Sequence, residues 1–193
     1  MKKFLVAVAL CCSVATSAMA QEWTISKYGQ EIVKEGTPYT KEDIIAAAEQ
    51  KGVDIRQRDM VMFHSGWLNL LDGENQDHER YVSVEPGLGN SSAEYLAEIG
   101  VVAVGADTWG VEAVPFENGA EGVFSVHQIL TPQNGIYILE DMETRELVKD
   151  GVKEFMFVLG AARRKSAVQM IINPIDIRKH KRRPKSTTLG QSI

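Results

Sequence analysis

The chain has 193 residues, 44% of them hydrophobic, which suffices for one ordinary domain. Its 21 Lys and Arg against 26 Asp and Glu give a formal net charge of −5, so the body of the protein is not expected to bind nucleic acid. Both cysteines, Cys11 and Cys12, stand near the N-terminus, which excludes disulfides and thiolate chemistry from the rest of the chain.

Residues 1–20 are typical of a secretory signal peptide. Lys2 and Lys3 precede an apolar run over residues 4–18, and residues 18–20 have the small-x-small form of a cleavage site. A membrane anchor is the alternative, but the run is short for a span of about 20 residues. We therefore expect an exported protein, periplasmic or secreted, without stable membrane insertion after cleavage.

The first predicted elements of the body are a helix and a buried strand. Thr40 can cap a helix that has acidic residues in its first turn and ends at Gly52. The continuous apolar run over residues 60–63 is typical of a buried strand. A charged surface loop is expected over residues 72–81.

A second helix and strand follow a predicted turn at residues 86–90. Ser91 or Ser92 is expected to cap the helix. Residues 101–105, small and β-branched, predict a second buried strand, and the polar loop 107–110 follows it. In open α/β sheets, ligands bind beyond such strand ends.

The last third of the chain predicts a short helix that Ser125 caps, a strand over residues 136–139, and a short helix within residues 143–149. Two further apolar runs predict the closing strands, residues 155–159 and 168–172. The pattern predicts a mixed α/β architecture with five or six strands.

His127 and Glu140 are the candidate metal ligands. A helix of about six residues rises roughly 9 Å, and a strand of about four returns roughly 13 Å, so both side chains could reach one sheet edge. An imidazole and a carboxylate suit a divalent metal; the alternative is a hydrogen-bonded histidine beside a surface carboxylate. The remaining histidines are expected packed at a strand end, His64, or solvated, His78 and His180.

The basic run over residues 178–185 has two interpretations. It could contact anionic lipid or nucleic acid, or it could be a disordered, solvated terminus. We favour the second interpretation, because the run lacks aromatic residues and an apolar face.

Several blocks of sequence resemble the cyclase family of metal-dependent hydrolases, which includes bacterial kynurenine formamidases. The strand and turn DMVMFHSGW at residues 59–67 resemble the family's GD-x-V-L-x-x-T-G-W. Further similar blocks are the PGL and GVVAVGADT runs within residues 86–108, HQIL at 127–130, NGIYILE at 134–140 and the closing strands at 155–177. Together they cover residues 40–177.

The resemblance implies a mixed-sheet, swivelling β/α/β fold and a metal-dependent hydrolase of arylformamidase type, linked to tryptophan catabolism. Such an enzyme cleaves the C–N bond of a small amide or cyclic amide with zinc or manganese as cofactor. The resemblance assigns His127 and Glu140 as metal ligands, and Asp107, Thr108 and Trp67 to the substrate pocket.

The family's H-x-G-T-H-x-D-x-P motif, which supplies the other ligands and a catalytic histidine, has no counterpart in this sequence, so the catalytic residue stays unassigned. We therefore expect a truncated cyclase-type domain, its first half missing near Gly29. The expected organisation is a signal peptide at 1–20, a segment at 21–38, the C-terminal half at 39–177 and the tail at 178–193. Strand edges left exposed predict a homo-oligomer. The alternative is a non-catalytic remnant, or a binding and assembly module.

Overall fold

The computed structural model describes residues 35–72, 76–160, 165 and 169–178, together with the backbone of three two-residue strands nearer the N-terminus. The expected signal peptide, apart from the backbone of residues 4–5, lies outside the described residues, and so does the basic tail beyond residue 178. Within the described part of the chain, no helix has both the length and the apolar character that crossing a membrane requires.

Between Pro38 and Val158, short strands alternate with short α-helices. The strands are β1 (Phe4–Leu5), β2 (Thr24–Ile25), β3 (Glu31–Ile32), β4 (Pro38–Tyr39), β5 (Met60–Phe63), β6 (Gly87–Leu88), β7 (Ala103–Ala106), β8 (Tyr137–Leu139), β9 (Glu154–Val158) and β10 (Ile175–Ile177). The α-helices are α1 (Lys41–Lys51), α2 (His78–Ser83), α3 (Asn90–Ile99), α4 (Ser125–Gln128) and α5 (Arg145–Lys149). A π-helical turn, Ile129–Gln133, continues α4.

The central sheet is parallel, in the order β5-β7-β8. In its register, Phe63 of β5 lies opposite Ala106 of β7. Because parallel strands end at one edge, the residues directly beyond these ends are neighbours: His64, Asp107 and Glu140. This edge is where the candidate site lies.

Both faces of the central sheet are covered. Val61 and Phe63 pack in a cluster with residues of α1 and α3, including Ile44 and Leu96. Met60 and Met62 pack on the opposite face with α5 and β9, in a second cluster that includes Leu147, Phe155 and Phe157. Burial on both faces accounts for the continuous apolar run, and the predicted strand at residues 60–63 is confirmed.

The first predicted helix is also confirmed, as α1. The Thr40 hydroxyl accepts a hydrogen bond from the Asp43 N–H, and the Asp43 carboxylate accepts one from the Thr40 N–H at 2.8 Å, which makes a capping box. Gly52 ends the helix with φ 62°, the left-handed conformation that glycine adopts without strain.

Part of the predicted loop at residues 72–81 is wrong, because α2 begins at His78. The Asp77 carboxylate accepts a hydrogen bond from the Arg80 N–H at 3.0 Å and caps the helix. Tyr81 is buried against Trp67 and Leu70. A six-residue helix is too short to show a clear apolar period, so tertiary packing decides its presence.

Other predicted boundaries also shift. The turn at residues 86–90 contains β6, which pairs with β4, and the N-cap of α3 is Gly89 rather than Ser91 or Ser92. The closing strand β10 lies at Ile175–Ile177, whereas the described part of the predicted strand at 168–172 has no regular structure. Its position follows from pairing with β9, where Ile175 lies opposite Val158.

Gly87 approaches a neighbouring chain segment so closely that a side chain cannot fit. A Cβ at this position would stand 2.6 Å from the Val111 carbonyl oxygen and 2.7 Å from that of Glu112. These are backbone atoms, so we expect Gly87→Ala to lower the free energy of unfolding by about 1–3 kcal/mol in urea denaturation. Gly160→Ala is the matched control, since a Cβ there meets no atom within 4 Å. Equal losses in both variants would contradict this explanation.

Candidate functional site

His127 and Glu140 lie in contact beyond the C-terminal edge of the central sheet. His127 belongs to α4 and Glu140 directly follows β8; His127 Nε2 is 3.3 Å from Glu140 Oε1. Their side chains are 26% and 28% exposed, so the pair is half-buried but reachable from solvent. The structure thus brings together the two side chains whose spacing predicts convergence, and their role as metal ligands stays a prediction.

Glu112 holds His127 from the opposite side, through a contact that the sequence pattern does not predict. Glu112 Oε1 is 2.6 Å from His127 Nδ1, and Glu112 Oε2 accepts a hydrogen bond from the Val126 N–H at 3.1 Å. Glu112 is buried, and its backbone bridges to Leu88. One carboxylate therefore fixes both the imidazole ring and the start of α4. The available signal was a lone acid in the otherwise apolar run 111–114.

The two carboxylates determine the charge of His127. Burial lowers the pKa of His127, but the hydrogen bonds with Glu112 and Glu140 outweigh burial and raise the pKa to about 9. Below that pH the metal-free ring is an imidazolium that can donate from both nitrogens. A metal ion at Nε2 must therefore displace a proton, and its binding must strengthen as the pH rises.

A buried polar network joins the ends of β5 and β7. The Asp107 carboxylate accepts hydrogen bonds from the Ser65 N–H, the Ser65 hydroxyl and the Gly66 N–H at 2.7, 2.7 and 2.8 Å. His64 Nδ1 lies 3.2 Å from Asp107 Oδ2 and 2.7 Å from the hydroxyl of Thr144. His64 is thus packed at a strand end, as predicted, and the network fixes the strand ends that carry the site.

The three residues that the resemblance assigns to the substrate pocket all lie in the interior. Asp107 belongs to the network above, and the Thr108 hydroxyl donates to the Gly110 carbonyl at 2.6 Å. The Trp67 indole N–H donates to the Tyr81 carbonyl at 3.2 Å. These contacts support the walls of the site edge, and direct contact of any of the three with a substrate stays a prediction.

Further acidic groups surround the site edge. Burial, together with the charges of Glu140 and Asp141, raises the pKa of Glu85 to about 9 against the backbone hydrogen bonds that lower it. The Tyr81 hydroxyl donates to the Asp141 carboxylate, next to Glu140 in the chain. Together with Glu112, these groups make the edge rich in carboxyl oxygens, which favours a cation there.

The donor chemistry fits a metal ion in part. Two ligand atoms 3.3 Å apart can share one zinc ion at bond lengths of about 2.0–2.2 Å. Within residues 35–72, 76–160, 165 and 169–178, no group of three or more His, Cys, Asp or Glu side chains is arranged to hold a metal ion. A catalytic zinc site uses three protein ligands, so the described residues provide an incomplete set.

Comparison with solved structures shows the fold. The crystal structure of a novel cyclase aligns with a TM-score of 0.67 at 23% identity, covering 80% of this chain and 51% of that chain. An isatin hydrolase bound to the product analogue thioisatinate aligns with a TM-score of 0.59 at 18% identity, covering 72% and 53%. This chain therefore spans about half the length of these two proteins.

Comparison with protein families shows which family the sequence matches. No curated protein matches the chain. The family model Cyclase, described as "Putative cyclase", matches residues 7–113, more than half of the sequence. The match includes Asp107 and Glu112 and ends before His127, so the two candidate ligands rest on their geometry and on the motif resemblance. With its mixed α/β architecture, the chain belongs to the cyclase family.

Proposed function

We propose that the chain contributes to a metal-dependent hydrolase of kynurenine formamidase (arylformamidase) type that cleaves the C–N bond of a small amide or cyclic amide. The observation that carries the proposal is the contact between His127 Nε2 and Glu140 Oε1, with Glu112 bonded to the other ring nitrogen. The shared fold of the isatin hydrolase supports the proposal that this chain belongs to a hydrolase.

The residues present have distinct roles in this proposal. When His127 is neutral, Glu112 accepts a hydrogen bond from its Nδ1–H, which fixes the tautomer and leaves the Nε2 lone pair available to a metal ion beside Glu140. His127 Nε2 and Glu140 Oε1 would hold zinc or manganese. When bound, the metal would supply Lewis acidity and lower the pKa of a bound water. The half-buried position limits water around the pair and strengthens its electrostatic interactions.

We propose that the missing ligands come from a partner chain or from segments outside the described residues. A specific observation favours assembly, which is also the second candidate function: an exposed apolar face on the β9–β10 ribbon. Its members are Met156 and Val158 of β9, with Ile177 and Ile175 opposite them on β10. Apolar faces of this kind mark interaction sites. A homo-oligomer with an amide substrate, exported from the cytoplasm, stays our expectation.

Metal content tests the proposed function. We expect the purified chain, incubated with zinc or manganese and then desalted, to retain near-stoichiometric metal by elemental analysis. His127→Ala and Glu140→Ala should abolish retention, because each removes a ligand. Glu112→Gln should weaken the affinity for metal by about 10- to 100-fold, because it removes the charged partner that orients the His127 ring but leaves both metal ligands in place.

His78→Ala is the control for these variants, since His78 is an exposed histidine in α2 and should leave metal retention unchanged. Retention of metal makes hydrolysis of aryl formamides the next assay. Absence of metal from the wild-type protein with either ion would overturn the metal-dependent proposal and leave the assembly module as the function. Retention that survives both ligand substitutions would place the metal elsewhere.

A further inference from the structure

Phe124 combines two features that are each unfavourable for a phenylalanine. It stands directly before α4 with φ 54° and ψ 31°, a left-handed conformation that bulky residues rarely adopt. Its side chain is also 40% exposed, although it is a large apolar group. A glycine or asparagine would avoid both costs. Strained residues of this kind cluster at ligand sites, so the contacts of the Phe124 ring are candidates for a ligand site.

The ring of Phe124 joins an aromatic surface to the polar pair of the candidate site. Its centroid lies 5.2 Å from that of Phe116, with an interplanar angle of 63°, and 5.2 Å from that of His127, at 78°. His127 in turn contacts Glu140. A small molecule with a polar group at His127 can therefore reach the exposed phenyl ring, whose centroid lies 5.2 Å from that of the imidazole. Phe116 and Phe124 form an edge-to-face pair of phenyl rings, which suits contact with a small flat group.

We propose that Phe124, supported by Phe116, is a specificity-determining residue that binds a flat apolar group of the ligand whose polar group is held at His127 and Glu140. The inference rests on the proposed function for the identity of that polar partner. Aromatic rings gain from offset-stacked or edge-to-face contact beyond the area they bury, whereas saturated rings gain from area alone. The site therefore prefers an aryl group to a saturated ring of the same size.

Two probes isolate this preference: formanilide and N-cyclohexylformamide share the formamide group and differ in the flatness of the ring. Binding to the metal-free full chain is measured by NMR titration of side-chain and amide signals. We expect formanilide to bind about 3- to 10-fold more tightly than N-cyclohexylformamide, the range that one aromatic contact supplies. Phe124→Gly should bring the two affinities together.

Folding and packing effects are separated by the choice of variants. Glycine at this φ relieves the backbone strain, so Phe124→Gly should fold, as checked by its amide spectrum. Val123→Ala, at the exposed neighbouring position, should retain the aryl preference. If Phe124 only orients the imidazole, Phe124→Gly would shift the pKa of His127 in an NMR titration and leave the ratio of affinities unchanged, which would overturn the proposal.

The remaining outcomes are also decisive. Equal affinities for the two probes in the wild-type protein, or no measurable binding of either, would overturn the inference. Because the titration uses no metal and no turnover, it is independent of the metal experiment. An aryl preference that depends on Phe124, in a protein that retains no metal, would sustain this inference and reject the proposed function.

Discussion

Replacement of Asp107 by asparagine is expected to lower the free energy of unfolding at pH 7 by about 3–5 kcal/mol. Asp107 is fully buried, and the backbone N–H groups of Ser65 and Gly66 donate to different oxygens of its carboxylate, at 2.7 and 2.8 Å. An asparagine amide must turn its NH₂ group toward one of these donors in either orientation. That buried N–H then loses its acceptor, and the end of β5 loses its connection to the end of β7.

The effect should depend on pH with a definite sign. Burial raises the pKa of Asp107, but hydrogen bonds with His64 and Ser65 outweigh burial and hold the pKa below its ordinary value of 3.8. A lowered carboxyl pKa contributes stability that is present above pH 3.8 and is lost as the pH falls through the folded-state pKa. The difference in stability between wild type and Asp107→Asn should therefore narrow in strong acid.

The free energy of unfolding, measured by urea denaturation at pH 7 and at pH 3, tests both predictions. Asp54→Asn is the matched control, since Asp54 is exposed and pairs with Arg56 only at the surface; its loss should stay within about 0.5 kcal/mol. A loss at Asp107 no larger than that of the control would contradict the proposed role of the network in fixing the strand ends.

The central sheet was predictable because both of its faces are buried. Strands covered on each side become continuous apolar runs, and the runs at residues 60–63 and 136–139 gave β5 and β8 to within a residue. The predicted strand 101–105 lies at 103–106, because its pairing with β5 begins only at Val102, whose N–H donates to the carbonyl of Asp59. Sequence patterns indicate burial more reliably than hydrogen-bond register.

The elements that were missed depend on contacts between distant segments. The helix α2 carries charged residues and only one fully buried side chain, Tyr81, whose burial comes from Trp67 and Leu70. The ribbon of β9 and β10 is joined across an intervening segment, so the position of β10 is set by β9 and not by its local apolar residues. Neither kind of information is present in a local window of sequence.

The candidate site also combines residues that local sequence indicated with residues that only distant pairing brings in. His127 and Glu140 belong to two adjacent elements of known rise, so residue spacing indicated that their side chains could reach the same sheet edge. Glu112 reaches His127 because a bridge to Leu88 places its segment beside α4, and Glu85 enters the site edge through its bridge to Val114. Both acids depend on pairing between separate segments, which explains why they were absent from the predicted site.

Glu85 leads to the second large effect: Glu85→Gln is expected to be more stable than wild type by about 2–4 kcal/mol at pH 8, and nearly equal to it at pH 5. Glu85 is fully buried, and both of its carboxyl oxygens face the Gly110 N–H, at 3.0 and 3.2 Å. Glutamine resembles the neutral acid, with one acceptor oxygen for this N–H and one donor group. It lacks the charge that burial opposes.

The sign follows from the raised pKa. Burial, with the charges of Glu140 and Asp141, raises the pKa of Glu85 from 4.5 to about 9 in the folded protein. Between these values the folded state holds a proton that the unfolded state has lost, so the free energy of unfolding falls by up to about 1.4 kcal/mol per pH unit. The raised pKa of His127 adds a fall of the same sign between pH 6.5 and about 9, in wild type and variant alike.

Denaturation of the metal-free proteins from pH 5 to pH 9 therefore isolates Glu85 as the difference between two curves. The wild-type curve should fall more steeply than the Glu85→Gln curve, while Glu79→Gln, at an exposed position of α2, should follow wild type. Parallel curves for all three proteins would mean that Glu85 is ionised in the folded state.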